Sequence, residues 1–265
     1  MERFDKMDDI KNVPQKPVVL LVDDNAEILE FLRIDLNEQY TILTANNGRD
    51  ALAIIDDKFV DLIVSDVMMP FIDGFQLCQS IKSNILTSHI PVILLTAKNT
   101  LQHKMEGLSL GADAYIDKPF SPEHLAVQIA NLLVNRIKIK AHYAQSPLVQ
   151  IKSMAYSKAD EHFLDMINKA IYEHMQDEDL DVEHLARYLN MSRPTLYRKI
   201  SALSNLSPAE LINIARLKNE AILLREGLYN ITEVAVMVGY TSPNHFGRNF
   251  LKQFGVTPSA YLKEK

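Results

Sequence analysis

Asp61-Leu-Ile-Val-Ser-Asp-Val-Met-Met-Pro70 is the stretch on which the fold turns. Its run Asp61-Leu-Ile-Val-Ser65 lacks polar alternation, as expected of a parallel strand buried on both faces, and it ends at a carboxylate, Asp66. Kindred runs flank it. Pro17-Val-Val-Leu-Leu-Val22 precedes Asp23 and Asp24, Pro91-Val-Ile-Leu-Leu95 precedes Thr96, and Asp113-Ala-Tyr-Ile116 precedes Lys118; Tyr40-Thr-Ile-Leu-Thr44 completes the set. Amphipathic stretches separate them at about 25–37, 48–57, 74–83, 99–109 and 121–135. In the first, Ile28, Leu29, Leu32 and Leu36 fall at helical spacing. Ser121-Pro-Glu opens the last with a cap and a proline in the first turn. Five strand–helix units predict an α/β, doubly wound, five-stranded parallel sheet with right-handed crossovers and a site at the strand C-termini.

Parallel strands align their C-terminal ends along one sheet edge, so Asp23, Asp24 and Asp66 are expected to converge. Clustered carboxylates repel one another unless a hard cation joins them, and Mg²⁺ suits such oxygens. Thr96 and Lys118 bring a hydroxyl and an ammonium to the same edge. A carboxylate nucleophile, a metal and a lysine together suit in-line phosphoryl transfer.

The 265 residues, 47% apolar and 23% charged, suit two ordinary soluble domains. No apolar run approaches the ~20 residues that span a bilayer. A single cysteine, Cys78, excludes an internal disulfide and suits a small buried apolar position, and the eight histidines show no ligand spacing. A cytoplasmic location is therefore expected. The net charge of −6 is unevenly spread: residues 1–135 carry −9, and residues 184–265 carry +6. An acidic half followed by a basic end hints at a polyanion-binding module.

From about residue 159 the pattern is helical throughout, predicting an all-α domain. It repeats: Val182, Leu185, Ala186 and Leu189 share the spacing of Ile231, Val234, Ala235 and Val238. A short turn with a serine cap follows each set, at Ser192 and Ser242. A second helix follows, with apolar Leu196, Ile200 and Leu203 in one copy and Phe246, Phe250 and Phe254 in the other. This is the helix-turn-helix signature, twice. Ser207-Pro-Ala-Glu210 is a capping box opening a long helix between the copies. The join at 136–158 reads as a helix extension followed by a linker.

Residues 17–135 resemble a response-regulator receiver domain of two-component signalling. The matching residues are Asp23-Asp24, Asp66 within Ser65-Asp-Val-Met-Met-Pro70, Asp73-Gly74, Thr96-Ala97, Tyr115 and Lys118-Pro119. The resemblance implies that Asp66 accepts phosphate from a histidine kinase. It implies that Asp24, Asp66 and the Met68 backbone carbonyl bind Mg²⁺, with Asp23 acting through water. Thr96, Tyr115 and Lys118 would form the switch, with a cis Lys118-Pro119 bond.

Residues 159–265 resemble the AraC-family DNA-binding domain, through Ala215-Arg-Leu-Lys218, Ile231-Thr-Glu-Val-Ala235, Val238-Gly-Tyr240 and above all the stretch from Phe246 to Tyr261. That resemblance places each second helix in a major groove of double-stranded DNA. Matching positions assign Arg193, Thr195, Tyr197, Arg198 and Lys199 to one recognition helix, and Asn244, His245, Arg248 and Lys252 to the other. Arg198 and Asn244 suit base readout, whereas Lys199 and Lys252 suit phosphate contact.

The resulting expectation is a phosphorylation-controlled transcription regulator that forms a homodimer on phosphorylation, with RNA polymerase as a further partner. It is not a turnover enzyme. An aspartyl phosphatase needs a second Asp two residues after the nucleophile, where this chain has Met68. The sequence also resembles the C-terminal part of membrane-spanning hybrid two-component regulators of Bacteroidetes, which leaves open a second reading as the output part of such a protein.

Overall fold

The computed structural model describes residues 16–97, 110–177, 179–240 and 242–263. They form two compact units, 16–79 with 90–97 and 110–130, and 80–89 with 131–177, 179–240 and 242–263. In chain order the first elements are β1 (Val18–Val22), α1 (Ala26–Leu36), β2 (Thr41–Ala45), α2 (Gly48–Asp57), β3 (Leu62–Asp66), α3 (Gly74–Ser83), β4 (Val92–Ala97), β5 (Ala114–Lys118) and α4 (Pro122–Gln145). The amphipathic stretch at 99–109 lies outside the described residues.

The five strands form one sheet in the order β2-β1-β3-β4-β5, every pairing parallel. Its centre is a dry Val/Ile/Leu core: all of β3 is buried, as are Val19–Val22 and Val92–Thr96. The edge strand β2 is partly exposed. From β1 the chain moves outward to β2, then crosses back to β3 on the other side. That reversal opens a crevice beyond the C-terminal ends of β1 and β3, where a doubly wound sheet holds its ligand. Side chains fix the helix starts: Asn25 accepts from the Glu27 N–H, and Asn47 from the Asp50 N–H.

The second unit is helical. After α4 come a 3-10 turn (Ile151–Met154), α5 (Lys158–Glu173), α6 (Val182–Tyr188), α7 (Arg193–Ser204), α8 (Pro208–Glu226), α9 (Ile231–Met237), α10 (Pro243–Phe254) and α11 (Pro258–Lys263). Its core gathers Phe163, Leu185, Leu196, Leu217, Phe246 and Phe250. The segment 136–158, expected to be helix extension and linker, is folded into this unit: α4 runs to Gln145, and Tyr143, Ile151 and Met154 are buried in the core. Those three apolar residues are dispersed among Lys, Arg, Gln and Ser. Local composition reads polar, while burial is decided by distant partners.

Candidate functional site

The crevice beyond β1 and β3 gathers the expected carboxylates. Asp23 and Asp24 follow β1, and Asp66 is the last residue of β3. One carboxylate oxygen from each lies within 4.8 Å of the others, with Asp23 and Asp66 buried and Asp24 exposed. Lys118, ending β5, reaches in: its Nζ is 2.8 Å from Asp66 Oδ1 and 3.0 Å from Asp23 Oδ2. Burial opposes the Lys118 ammonium, but the hydrogen bonds and charges of Asp66 and Asp23 outweigh it and hold its pKa above the ordinary lysine value. Burial lifts the Asp66 carboxyl above the usual aspartate range, Asp23 adds to this, and Lys118 and the Val67 N–H partly offset it. Three carboxylates facing one ammonium leave an uncompensated negative site, whose hard oxygens suit a divalent cation.

The backbone around Asp66 is closely fitted. A Cβ on Gly74 would fall 2.2 Å from the Asp66 carbonyl oxygen, so α3 can begin there only at a glycine. Gly74 N donates to Val67 O at 3.0 Å, closing the loop after β3. The Met68 side chain is exposed. Within the same loop Phe71 adopts φ 68°, a strained conformation for a bulky residue, and its ring lies 4.8 Å from the Arg49 guanidinium carbon. Nothing in the sequence marks Phe71 for this conformation. The Lys118-Pro119 bond is cis, as expected. Thr96 is buried and donates to Ala97 O at 3.2 Å. The Tyr115 hydroxyl is buried without a hydrogen-bond partner among the described residues, and burial raises its pKa, with Cys78 acting in the same direction.

In the helical unit the turns of the two helix-turn-helix copies share their backbone geometry. Asn190 (φ 52°) and Gly239 (φ 83°) occupy the left-handed position of each turn. Met191 N donates to Ala186 O at 2.9 Å, and Tyr240 N to Ala235 O at 3.0 Å. A Cβ at Gly239 would also lie 2.8 Å from Met175 O, so the second turn needs glycine for space as well as conformation. Ser192 caps α7 by accepting from the Thr195 N–H, but Ser242, expected to do the same for α10, makes no side-chain cap bond.

Arg193, Tyr197 and Arg198 on α7 are exposed, as are Asn244, His245, Arg248 and Lys252 on α10. Arg193 pairs loosely with Glu183 at 3.6 Å, and the Thr195 hydroxyl bonds the Ser192 hydroxyl at 2.8 Å. Lys199 requires correction. It is 1% exposed, and its Nζ lies 2.5 Å from Asp160 Oδ1 on α5, so it is an interior ion pair and not a phosphate contact. The signal was present: residue 199 shares the apolar stripe of Leu196, Ile200 and Leu203. Sequence reasoning also missed Asp160 and the fully buried Glu220 of α8.

A response regulator receiver domain model matches residues 19–130, and a helix-turn-helix domain model matches residues 185–264. "Histidine kinase P4" of Formosa agariphila is 38% identical over 97% of this chain, which covers 19% of that protein. "Probable transcriptional regulator ycf27" of Porphyra purpurea is 38% identical over 55% of this chain and 59% of its own length. "Phosphate regulon transcriptional regulatory protein PhoB" of Pseudomonas aeruginosa is 42% identical over 43% of this chain and 51% of its own length. The chain thus spans less than two thirds of each of these relatives. The chain thus carries a response regulator receiver domain at 19–130, followed by an AraC-type helix-turn-helix domain at 185–264.

Proposed function

We propose that the chain is a phosphorylation-controlled, DNA-binding transcription regulator in which Asp66 takes a phosphoryl group from a histidine kinase. One observation carries this reading: a buried Asp66 carboxylate, 2.8 Å from Lys118 Nζ and beside two more carboxylates, on a chain with a duplicated helix-turn-helix. An Asp66 oxygen attacks the phosphorus of a phosphohistidine. The P–O bond forms as the P–N bond breaks, and the leaving imidazole takes up a proton. Lys118 holds the acceptor carboxylate in place and faces the charge of the product. Asp24, Asp66 and the Met68 carbonyl would hold Mg²⁺, with Asp23 acting through water, and the ion would supply charge neutralisation for the transferring oxygens. Arg193, Thr195, Tyr197 and Arg198 read one groove; Asn244, His245 and Arg248 read the next, and Lys252 adds phosphate affinity. The test is intact mass after incubation with acetyl phosphate and Mg²⁺. The protein gains one phosphoryl group and Asp66→Asn gains none; an equal gain by the variant sinks the assignment.

A second reading has its own support. The match to a histidine kinase runs over 97% of this chain but 19% of the kinase, so the same domain pair also occurs inside a far longer protein. Immunoblotting of native cells separates the two: one reading gives a band at the size of 265 residues, the other a band several times larger.

A further inference from the structure

Outside the recognition motifs, the C-terminal end of α4 is bonded to both recognition helices. Lys140 Nζ donates to Asn205 Oδ1 at 2.9 Å, and Asn205 is the left-handed residue that closes α7. Gln253 Nε2, near the end of α10, donates to Ala144 O at 2.8 Å, in the last turn of α4. Between them, Lys218 of α8 donates to the Ser146 and Val149 carbonyls just past the end of α4, with its ammonium 4.3 Å from the centre of the Tyr143 ring. One ammonium thus ties together two carbonyls of the turn that follows α4. Lys218 thereby fixes the segment that Lys140 and Gln253 use as their anchor. Among the described residues, α8 also packs against helices of both copies.

We propose that the end of α4 is a brace that sets the register between the two recognition helices, with Gln253 and the Lys140–Asn205 pair as positioning residues. They touch no base. They act by holding α7 and α10 at a fixed separation, so the spacing between the two half-sites on DNA is chosen partly by residues outside both motifs. Two sites read together gain from tethering only while their geometry allows simultaneous engagement, and a stiff brace narrows the range of spacings that qualify. The inference rests on the DNA-binding reading above.

The variants follow from the geometry. Asn205→Gly keeps the left-handed closure of α7 and removes only the acceptor for Lys140. Gln253→Leu keeps the volume and removes the donor to Ala144. The probe is the duplex selected by the full chain from random DNA, compared with the same duplex carrying one inserted base pair between its halves, and with each half alone. The unaltered chain is expected to prefer the selected spacing about tenfold, and the double variant to lose at least two thirds of that preference. Affinity for each half, and its salt dependence, stays unchanged. Gln253→Lys, which restores a donor of sufficient reach, regains the preference on the Asn205→Gly background. An undiminished spacing preference in the double variant overturns the proposal. So does an equal loss on the half-sites, which would mean that the bonds merely keep each helix folded. If selection yields no preferred duplex, the DNA-binding reading itself has failed and the brace falls with it.

Discussion

Lys199 sits one residue from Arg198, yet the two do opposite jobs, because a helix turns about 100° between neighbours. Arg198 faces solvent, while Lys199 faces Asp160 in the interior. Removing one partner of a buried ion pair strands the other, at a cost of about 3–5 kcal/mol. Lys199→Met is therefore expected to lower stability by that amount in urea unfolding of the helical unit, while the salt dependence of DNA binding by the folded protein holds. Lys252→Ala is expected to do the reverse, leaving stability alone and reducing the log–log salt slope by about 1. Glu220 presents a different buried charge. It is fully buried, its oxygens have no hydrogen-bond partner among the described residues, and burial lifts its pKa from 4.5 to about 9, with Arg216 pulling weakly the other way. The folded state thus keeps a proton that the unfolded chain has lost. Stability falls as pH rises through that interval, by at most about 1.4 kcal/mol per unit, and levels off above it. Glu220→Gln should flatten the profile, as read from denaturation midpoints across the interval; an unchanged slope would place the titration elsewhere. The pocket residues were legible because each ends a strand, and strand ends have a fixed place. Lys199 was misassigned by weighing its charge above its helical phase, and Glu220 shows itself only once the packing around α8 is known.

At the scale of the element, capping separates the two copies of the repeat. Ser192 satisfies an N–H at the start of α7, and Ser242 satisfies none at the start of α10. Ser192→Ala should cost about 1 kcal/mol and Ser242→Ala a few tenths at most, by thermal unfolding; equal costs would contradict the difference in geometry. The serine at both positions reads identically in the sequence, since the cap bond depends on a side-chain rotamer that spacing does not specify. The five strands and the helices at 25–37, 48–57 and 74–83 were legible to within two residues because their apolar periods differ, whereas the helix expected at 121–135 runs on to Gln145; the repeat announced itself through matched spacing. The folded state of 136–158 was not, because its burial comes from partners as distant as Lys218 and Gln253. The recognition helices carry a prediction of their own. Arg198→Ala is expected to weaken the selected site by about 1–3 kcal/mol and to relax preference at one base pair. Equal weakening on random DNA, measured by titration, would show that Arg198 contacts phosphate and reads no base.

At the scale of the molecule, the proposed function requires that chemistry at Asp66 alter how the chain engages DNA. A phosphoryl group on Asp66 adds negative charge and three acceptor oxygens beside Lys118. In the unphosphorylated geometry the Thr96 hydroxyl donates to the adjacent Ala97 carbonyl, a bond that a charged phosphoryl oxygen can outbid, because charge-assisted bonds are about twice as strong. Tyr115 lies next in the path, since β5 pairs with β4, and its hydroxyl is already buried and unpartnered among the described residues. Its place on the strand beside Thr96 sets Tyr115 to respond to movement there. On the proposed reading, β4 and β5 act as a two-state element biased by local charge, and the surface they reshape is that of the receiver. Two receivers that associate through that surface bring two DNA-binding domains together, and tethering raises apparent affinity about a hundredfold without a new contact to DNA. Sedimentation and DNA titration of the full chain, with and without beryllofluoride and Mg²⁺, check the sequence of events. Association and affinity should rise together in the unaltered protein. Asp66→Asn and Thr96→Ala should lose both increases while retaining the basal affinity. Tightening on DNA with no association of the chain, or a full response from Thr96→Ala, would show that the signal leaves the pocket by another route.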